Sequence, residues 1–232
     1  MDNEGVGSAD YLNHRRRRYI NYPLSIINYP FQKPEVFMNI LTLPLGSYQT
    51  NCYILWDENS DRCVVIDPGY EPEQILEETA RLGKTVEAVL LTHGHFDHVG
   101  GVKTLAAETG CRVYLCAPDL SMPPQMTAGP LYYTDLYQEG DVLDLAGLKI
   151  RVIHTPGHTE GSVCLLVENA MFSGDTLFEG SCGRTDLPGG SWATILKSLK
   201  RLAAMETDYA VYPGHGESTT LAQEKRYNPY MK

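Results

Sequence analysis

The sequence predicts an α/β fold, a layered sandwich in which helices cover sheets. Short apolar runs of strand length alternate with segments of helical period. Some of the strands follow one another closely enough to pair as hairpins, and Gly or Pro-Gly marks many of the joints.

The regular pattern begins at Met38. Residues 39–43 and 51–56 read as strands joined around Gly46, and residues 64–67 as a third strand ending at Pro68-Gly69. Residues 71–82 read as an amphipathic helix with Ile75, Leu76, Ala80 and Leu82 at its apolar positions, ended by Gly83. Residues 88–92 (Ala-Val-Leu-Leu-Thr) form a continuous apolar run, as expected of a strand covered on both faces. A helix over residues 99–109 closes at Gly110, and a strand follows at 112–116. Residues 117–140, rich in Pro, Met, Gly and Tyr, read as one long loop. Strands resume at 148–153, 162–167 and 170–172. A helix at 192–205, a strand at 209–212 and a last helix at 219–225 complete the order.

Composition bounds the function. Of 232 residues, 43% are hydrophobic and 21% charged, which suits a soluble globular protein and excludes disorder, collagen and coiled coil. No run of 18 apolar residues exists, so no membrane span is expected. The net charge is −10. Residues 1–37 carry five basic and four acidic side chains, leaving 14 against 25 in residues 38–232. A body at −11 is a poor polyanion binder, so nucleic acid is not expected as a partner. The first 37 residues differ in character, with Arg15-Arg16-Arg17-Arg18 followed by an apolar stretch broken at Pro23 and Pro30. No small-x-small cleavage site follows, so a signal peptide is not the expected reading. The expectation is a poorly ordered extension over 1–37, or an upstream start before a natural one at Met38, and one domain over 38–232. Most of the six cysteines lie in apolar runs. Free thiols in a reducing cytoplasm are expected, in a monomer or small homo-oligomer.

The decisive segment is Thr92-His93-Gly94-His95-Phe96-Asp97-His98. It places three His and one Asp directly after an apolar strand and before a helix. On leaving a strand, His93 and His95 point to the same side, while Asp97 and His98 at the helix start can turn towards a second point. Three further candidates stand at strand ends beside Gly or Pro. They are His158 in Thr-Pro-Gly-His-Thr, Asp175 in Ser-Gly-Asp-Thr, and His215 in Tyr-Pro-Gly-His-Gly. Separate segments that each deliver a His or Asp from a rigid sheet point to metal. Asp67, at a strand end before Pro-Gly, reads as a hydrogen-bonding turn residue rather than a ligand.

Thr-His-x-His-x-Asp-His, followed in order by Pro-Gly-His, Gly-Asp and Pro-Gly-His, resembles the metallo-β-lactamase superfamily over residues 38–232. The resemblance implies an αββα four-layer sandwich with two divalent metal ions, zinc foremost and iron or manganese as alternatives. By position, His93, His95 and His158 would hold one ion and Asp97, His98 and His215 the other, with Asp175 bridging. Within the superfamily, Gly174-Asp-Thr-Leu-Phe178, Ser181-Cys-Gly-Arg184 and Tyr227-Asn-Pro-Tyr-Met231 resemble the glyoxalase II, or hydroxyacylglutathione hydrolase, branch. The chain runs only 17 residues past His215 and resembles the short bacterial type. This branch implies hydrolysis of a small-molecule acyl thioester by a metal-activated hydroxide, with Asp97 catalytic and Arg184 gripping a glutathione carboxylate. Lys225 is a further candidate contact to an anionic substrate.

Chemistry supports a thioester. A thiolate, with a thiol pKa near ~8.5, leaves without a strong general acid, and no dedicated acid stands out beyond the ligand set. Two other readings compete. One is a mono-iron persulfide dioxygenase of the same superfamily, using His93, His158 and Asp175. The other is a non-catalytic zinc-stabilised scaffold, which would need only one closed site.

Overall fold

The computed structural model describes residues 38–232; the expectation for residues 1–37 lies outside the described residues. Strands β1 (Met38–Leu45), β2 (Thr50–Asp57) and β3 (Arg62–Ile66) form an antiparallel meander. Helix α1 (Pro72–Arg81) then leads to β4 (Thr85–Leu90), parallel to β3. Helices α2 (Phe96–Val99) and α3 (Val102–Thr109) lead to β5 (Arg112–Cys116). A 3₁₀ turn at Ala117–Ser121 and the short helix α4 (Pro124–Thr127) precede β6 (Asp135–Tyr137). These six strands form one sheet in chain order. Strands β7 (Val142–Leu145), β8 (Leu148–His154), β9 (Val163–Val167) and β10 (Ala170–Gly174) build a second, antiparallel sheet. After the small hairpin β11 (Leu177–Phe178) and β12 (Ser181–Cys182), α5 (Trp192–Ala203) crosses back. Strand β13 (Ala210–Pro213) then joins β10 in parallel, followed by β14 (Thr219–Thr220) and α6 (Leu221–Tyr227).

Alternation along the strands sorts the apolar side chains into three cores and gives the four layers. On β2, Tyr53 and Leu55 face the second sheet, meeting Leu165, Val167 and Phe172. Cys52 and Ile54 point the other way, with Ile75 of α1 and Val102 and Leu105 of α3. On β9, Cys164 and Leu166 pack with Ile195, Leu199 and Leu202 of α5. Helix, sheet, sheet, helix is the αββα arrangement. All six cysteines are free thiols, and all but Cys182 are buried.

Three expectations need correction. The helix expected over 99–109 is broken at Gly100-Gly101 into α2 and α3, because that backbone rests on the Pro68-Gly69 turn. Gly101 donates its N–H to Pro68 O at 2.8 Å, and a Cβ on Gly100 would come 2.3 Å from Gly69 O. Residues 117–140 are not one loop. They hold a 3₁₀ turn, α4 and edge strand β6, whose three residues are too few to show an alternation in sequence. Strand β7 was not expected at all; its polar Asp144 interrupts the apolar pattern, and it pairs with β8 through a tight turn at Ala146-Gly147.

The Pro68-Gly69 turn also supports the decisive motif. A Cβ at Gly69 would lie 1.6 Å from the carbonyl oxygen of Asp97, so Gly69→Ala must push α2 outward. The expected cost is about 1–3 kcal/mol, typical of overpacking, together with weaker metal retention. At Gly83 an added Cβ meets nothing within 4 Å, though its φ of +67° strains any other residue, so Gly83→Ala should lose stability while leaving metal binding intact. Denaturant unfolding and metal content of the two variants measure this; equal metal content would mean that the turn does not support the motif.

Candidate metal centre

The seven candidate residues leave the two sheets at one end of the sandwich and meet there. His93 and His95 follow β4, Asp97 and His98 lie in α2, His158 follows β8, Asp175 follows β10 and His215 follows β13. Their ligand atoms form two groups, His93–His95–His158 and Asp97–His98–His215, and within each group all lie within 4.8 Å of one another. Asp175 stands between them. Its Oδ1 is 3.4 Å from His98 Nε2, while its Oδ2 is 3.5 Å from His158 Nε2 and 3.7 Å from His215 Nε2. Asp97 Oδ2 is 3.2 Å from His215 Nε2 and 3.7 Å from His98 Nε2. His95 directs Nδ1 at His158 Nε2, 2.9 Å away.

Four of the five imidazoles are oriented through the opposite nitrogen. His158 Nδ1 donates to the Arg184 carbonyl at 2.8 Å, and His215 Nδ1 to the Tyr48 carbonyl at 3.2 Å. His98 Nδ1 donates to Asp67 Oδ2 at 2.9 Å, and His93 Nδ1 meets Thr92 Oγ1 at 3.1 Å. Since Thr92 Oγ1 donates to Asp67 Oδ2 at 2.6 Å, it accepts from His93. Each of these rings therefore turns its Nε2 to the interior, the atom a metal would take from it. Asp67 is taken up by three donors, Thr92 N–H, Thr92 Oγ1 and His98, and acts on the ligands rather than as one.

Unsatisfied atoms test the fit. His93 Nε2, His95 Nε2, His98 Nε2 and Asp175 Oδ1 are buried without hydrogen-bond partners. Such atoms are rare in native proteins unless an ion or a water completes them. Electrostatics agrees. Burial, reinforced by the neighbouring imidazoles, pushes His93 well down and His95 to about 4, so both favour the neutral, ligating form. At His98 burial also opposes charge, but Asp175 and Asp67 outweigh it and lift the ring to about 9. At Asp97 burial opposes ionisation, yet the hydrogen bond from His215 and the charge of His98 hold its carboxyl well below the usual range. The carboxylates thus call for positive charge at this end of the cluster, and a divalent cation would supply it in place of the His98 proton.

The structure treats the expected substrate contacts differently. The Arg184 guanidinium is about 60% exposed and already held by Asp186 through two bonds, Nε to Oδ1 at 2.8 Å and Nη2 to Oδ2 at 2.7 Å. What touches the cluster is the Arg184 carbonyl. The Lys225 ammonium donates to the Met205 carbonyl beyond α5, which ties α6 down. Cys182 is half-buried, and burial pushes its thiol up, away from the thiolate form. Tyr137 is buried with its hydroxyl on the Leu91 carbonyl, whereas Tyr132 and Tyr133 are exposed.

Two supports escaped sequence reasoning. Asn51 of β2 pins the His215 loop, donating from Nδ2 to Pro213 O and Gly216 O, both at 3.0 Å, and Tyr53 Oη adds a bond to Pro213 O at 2.6 Å. Asp119, buried in the 3₁₀ turn after β5, bonds to Gly94, Thr159 and Gly161. A lone Asn on an apolar strand and an Asp in a Pro-rich segment carry no spacing signal.

Residues 45–215 match the metallo-beta-lactamase superfamily. The chain is 34% identical over 209 residues to the hydroxyacylglutathione hydrolase GloC of Haemophilus influenzae, covering 84% of this chain and 98% of that protein. Among solved structures it is similar to the BLEG-1 B3 metallo-beta-lactamase, with 36% identity, a TM-score of 0.74, and 84% of this chain and 100% of that one covered. It is also similar to TTHA1623 in a di-iron-bound form, with 38% identity, a TM-score of 0.71 and coverage of 82% and 99%. The motif order, the four layers and these matches agree: the chain belongs to the metallo-β-lactamase superfamily.

Proposed function

We propose that this protein hydrolyses an acyl thioester at a two-metal centre, with S-(2-hydroxyacyl)glutathione or a related thioester as substrate. The observation that carries the metal assignment is the convergence of the seven side chains, with His93 Nε2, His98 Nε2 and Asp175 Oδ1 buried among them without a hydrogen-bond partner. His93, His95 and His158 would hold one divalent ion and Asp97, His98 and His215 the other, with Asp175 placed between the two groups. Imidazole and carboxylate donors suit zinc, and equally iron or manganese; a similar structure holds two irons. When bound, two such ions supply an activated water at neutral pH and charge stabilisation for the oxyanion.

The protein's own residues do the rest. Asp97 is the catalytic carboxylate: with one oxygen committed to the cluster, the other accepts a proton contact from the attacking water and orients it. Thr50 Oγ1 donates to Asp97 Oδ2 at 3.3 Å and limits its rotation. His215, with about 29% of its side chain exposed, is the most open of the cluster histidines and marks the side from which substrate arrives. A thioester is the bond best suited to this set, because its thiolate leaves without a strong acid. The name of the Haemophilus relative supports the same reading. A scaffold would have no need of an open side; Asp97 and His215 fit the mono-iron dioxygenase branch as well, and metal stoichiometry separates that reading from the two-metal one. The free thiols fit a reducing compartment, and among the described residues no helix is long and apolar enough to cross a membrane.

Elemental analysis of the purified protein should give close to two metal ions per chain, with turnover of S-lactoylglutathione. Asp97→Ala should cut that turnover by about 10²–10⁴-fold, the range of a lost proton-handling group, while one ion stays bound through the three histidines. A single iron per chain, or full activity in Asp97→Ala, would overturn the two-metal mechanism.

Arg184 is proposed to grip a substrate carboxylate in competition with Asp186. Asp186→Asn should then lower KM for S-lactoylglutathione by roughly 1.5–5-fold, the scale of an exposed ion pair. Arg184→Ala should raise it, and KM for a neutral N-acetylcysteamine thioester should not change in either variant. Equal effects on both substrates would assign Arg184 a purely structural role.

A further inference from the structure

Asp119 is fully buried and belongs to neither ligand group, yet the hydrogen bonds of its carboxylate go to the loops that carry the three-histidine group. Oδ2 accepts from Gly94 N–H at 2.8 Å, and Gly94 sits between His93 and His95. Oδ2 also accepts from Thr159 Oγ1 at 3.0 Å, and Oδ1 from Gly161 N–H at 2.7 Å, both just after His158. The loops come from different sheets, one after β4 and the other after β8. At the strand side they are already joined by Val163 N–H to Thr92 O at 2.9 Å. In the cluster itself His95 Nδ1 meets His158 Nε2 at 2.9 Å. Asp119 ties the same two loops together on a further side, through three hydrogen bonds.

Packing is built around the carboxylate. A Cβ at Gly161 would lie 2.6 Å from Asp119 Cγ, and one at Gly94 would lie 3.0 Å from Met122 Sδ and 3.4 Å from Asp119 Cβ. Both glycines permit a close approach that other residues would block. All three partners donate, two of them as fixed backbone N–H groups, so the position needs a group that only accepts. An amide of the same shape turns an NH₂ towards one of those donors and leaves it buried without a partner.

We propose that Asp119 is a positioning residue for metal binding: it sets the spacing between the His93–His95 loop and the His158 loop, and so the affinity of the three-histidine half of the centre. This rests on the two-metal reading above. The Asp97–His98–His215 half is oriented through Asp67 and the Tyr48 carbonyl and does not depend on Asp119.

The test is Zn²⁺ titration of the full chain against a chromophoric chelator, in wild type, Asp119→Asn, Thr159→Val, and Asp119→Asn combined with Asp97→Ala. Asp119→Asn should weaken one ion by about 10–100-fold, the usual effect of losing a ligand's supporting partner, and leave the other at wild-type affinity. In the Asp97→Ala background, which keeps the three-histidine ion alone, Asp119→Asn should weaken that remaining ion. Thr159→Val keeps both backbone bonds and should weaken the same ion only a few-fold, which preserves the test should Asp119→Asn fail to fold. Two ions at unchanged affinity in Asp119→Asn, or both weakened equally, would overturn the assignment. A wild type that binds one ion would remove the two-metal reading instead, and Asp119 would then stand only if its Asn variant weakened that one ion.

Discussion

The centre depends on one repeated hydrogen bond, from the Nδ1 of a buried histidine to a fixed acceptor on the protein. His158 and His215 use carbonyls of Arg184 and Tyr48, His98 uses Asp67, and His93 uses Thr92, itself bonded to Asp67. An imidazole left to itself interconverts between tautomers and rotates about χ2, and five of them close together would repel whenever two were charged. Anchoring Nδ1 settles the tautomer and the ring plane, and leaves Nε2 free for a cation. His95 is the exception, presenting Nδ1 to His158. It leaves its strand in extended backbone immediately before α2, so its ring comes in from another direction.

The fold exists, in functional terms, to bring those anchors together. Parallel pairing of β3 with β4, and of β10 with β13, places consecutive strand ends on one edge of each sheet. The apolar layer between Tyr53, Leu55, Leu165 and Phe172 fixes the two edges relative to each other. Short side chains then bridge what remains. Asp67 reaches from β3 to the motif after β4, Asn51 from β2 to the loop after β13, and Asp119 from β5 to the loop after β8. Each bridge joins segments far apart in sequence, so the centre assembles only when both sheets have packed.

That distance explains what was legible in the sequence. The ligands were readable because His93, His95, Asp97 and His98 are contiguous and the other three sit in short Pro-Gly or Ser-Gly settings at strand ends. A layered α/β sandwich was readable from the alternation of strand and helix segments, whereas its four αββα layers followed only from the family resemblance. The bridges were not, because an isolated Asn51 or Asp119 acquires meaning only from partners 25 to 165 residues away. The break between α2 and α3 was hidden for the same reason: Gly100-Gly101 could be tolerated in a helix, and only the Pro68-Gly69 turn behind it shows why it is not. Arg184 was picked for its guanidinium, whereas the part of Arg184 that meets the cluster is its carbonyl. Main-chain roles leave no trace in residue type.

This last point bears on how one centre can serve different reactions. Tyr48 and Arg184 orient His215 and His158 through backbone oxygen, which any residue possesses. Their side chains are 57% and about 60% exposed, that of Tyr48 resting edge-on against Phe96 and that of Arg184 held by Asp186. The groups that fix the metals are therefore separated from the groups that meet a substrate, even within a single residue. A fold built this way can hold its catalytic ions constant while the rim is altered to suit a lactam, a glutathione thioester or another acyl carrier. The Arg184–Asp186 pair is such a rim feature. In a body of net charge −11, an anionic substrate would gain little from long-range attraction, and the contact proposed for Arg184 would then be the local cation that offsets this, with Asp186 as its competitor.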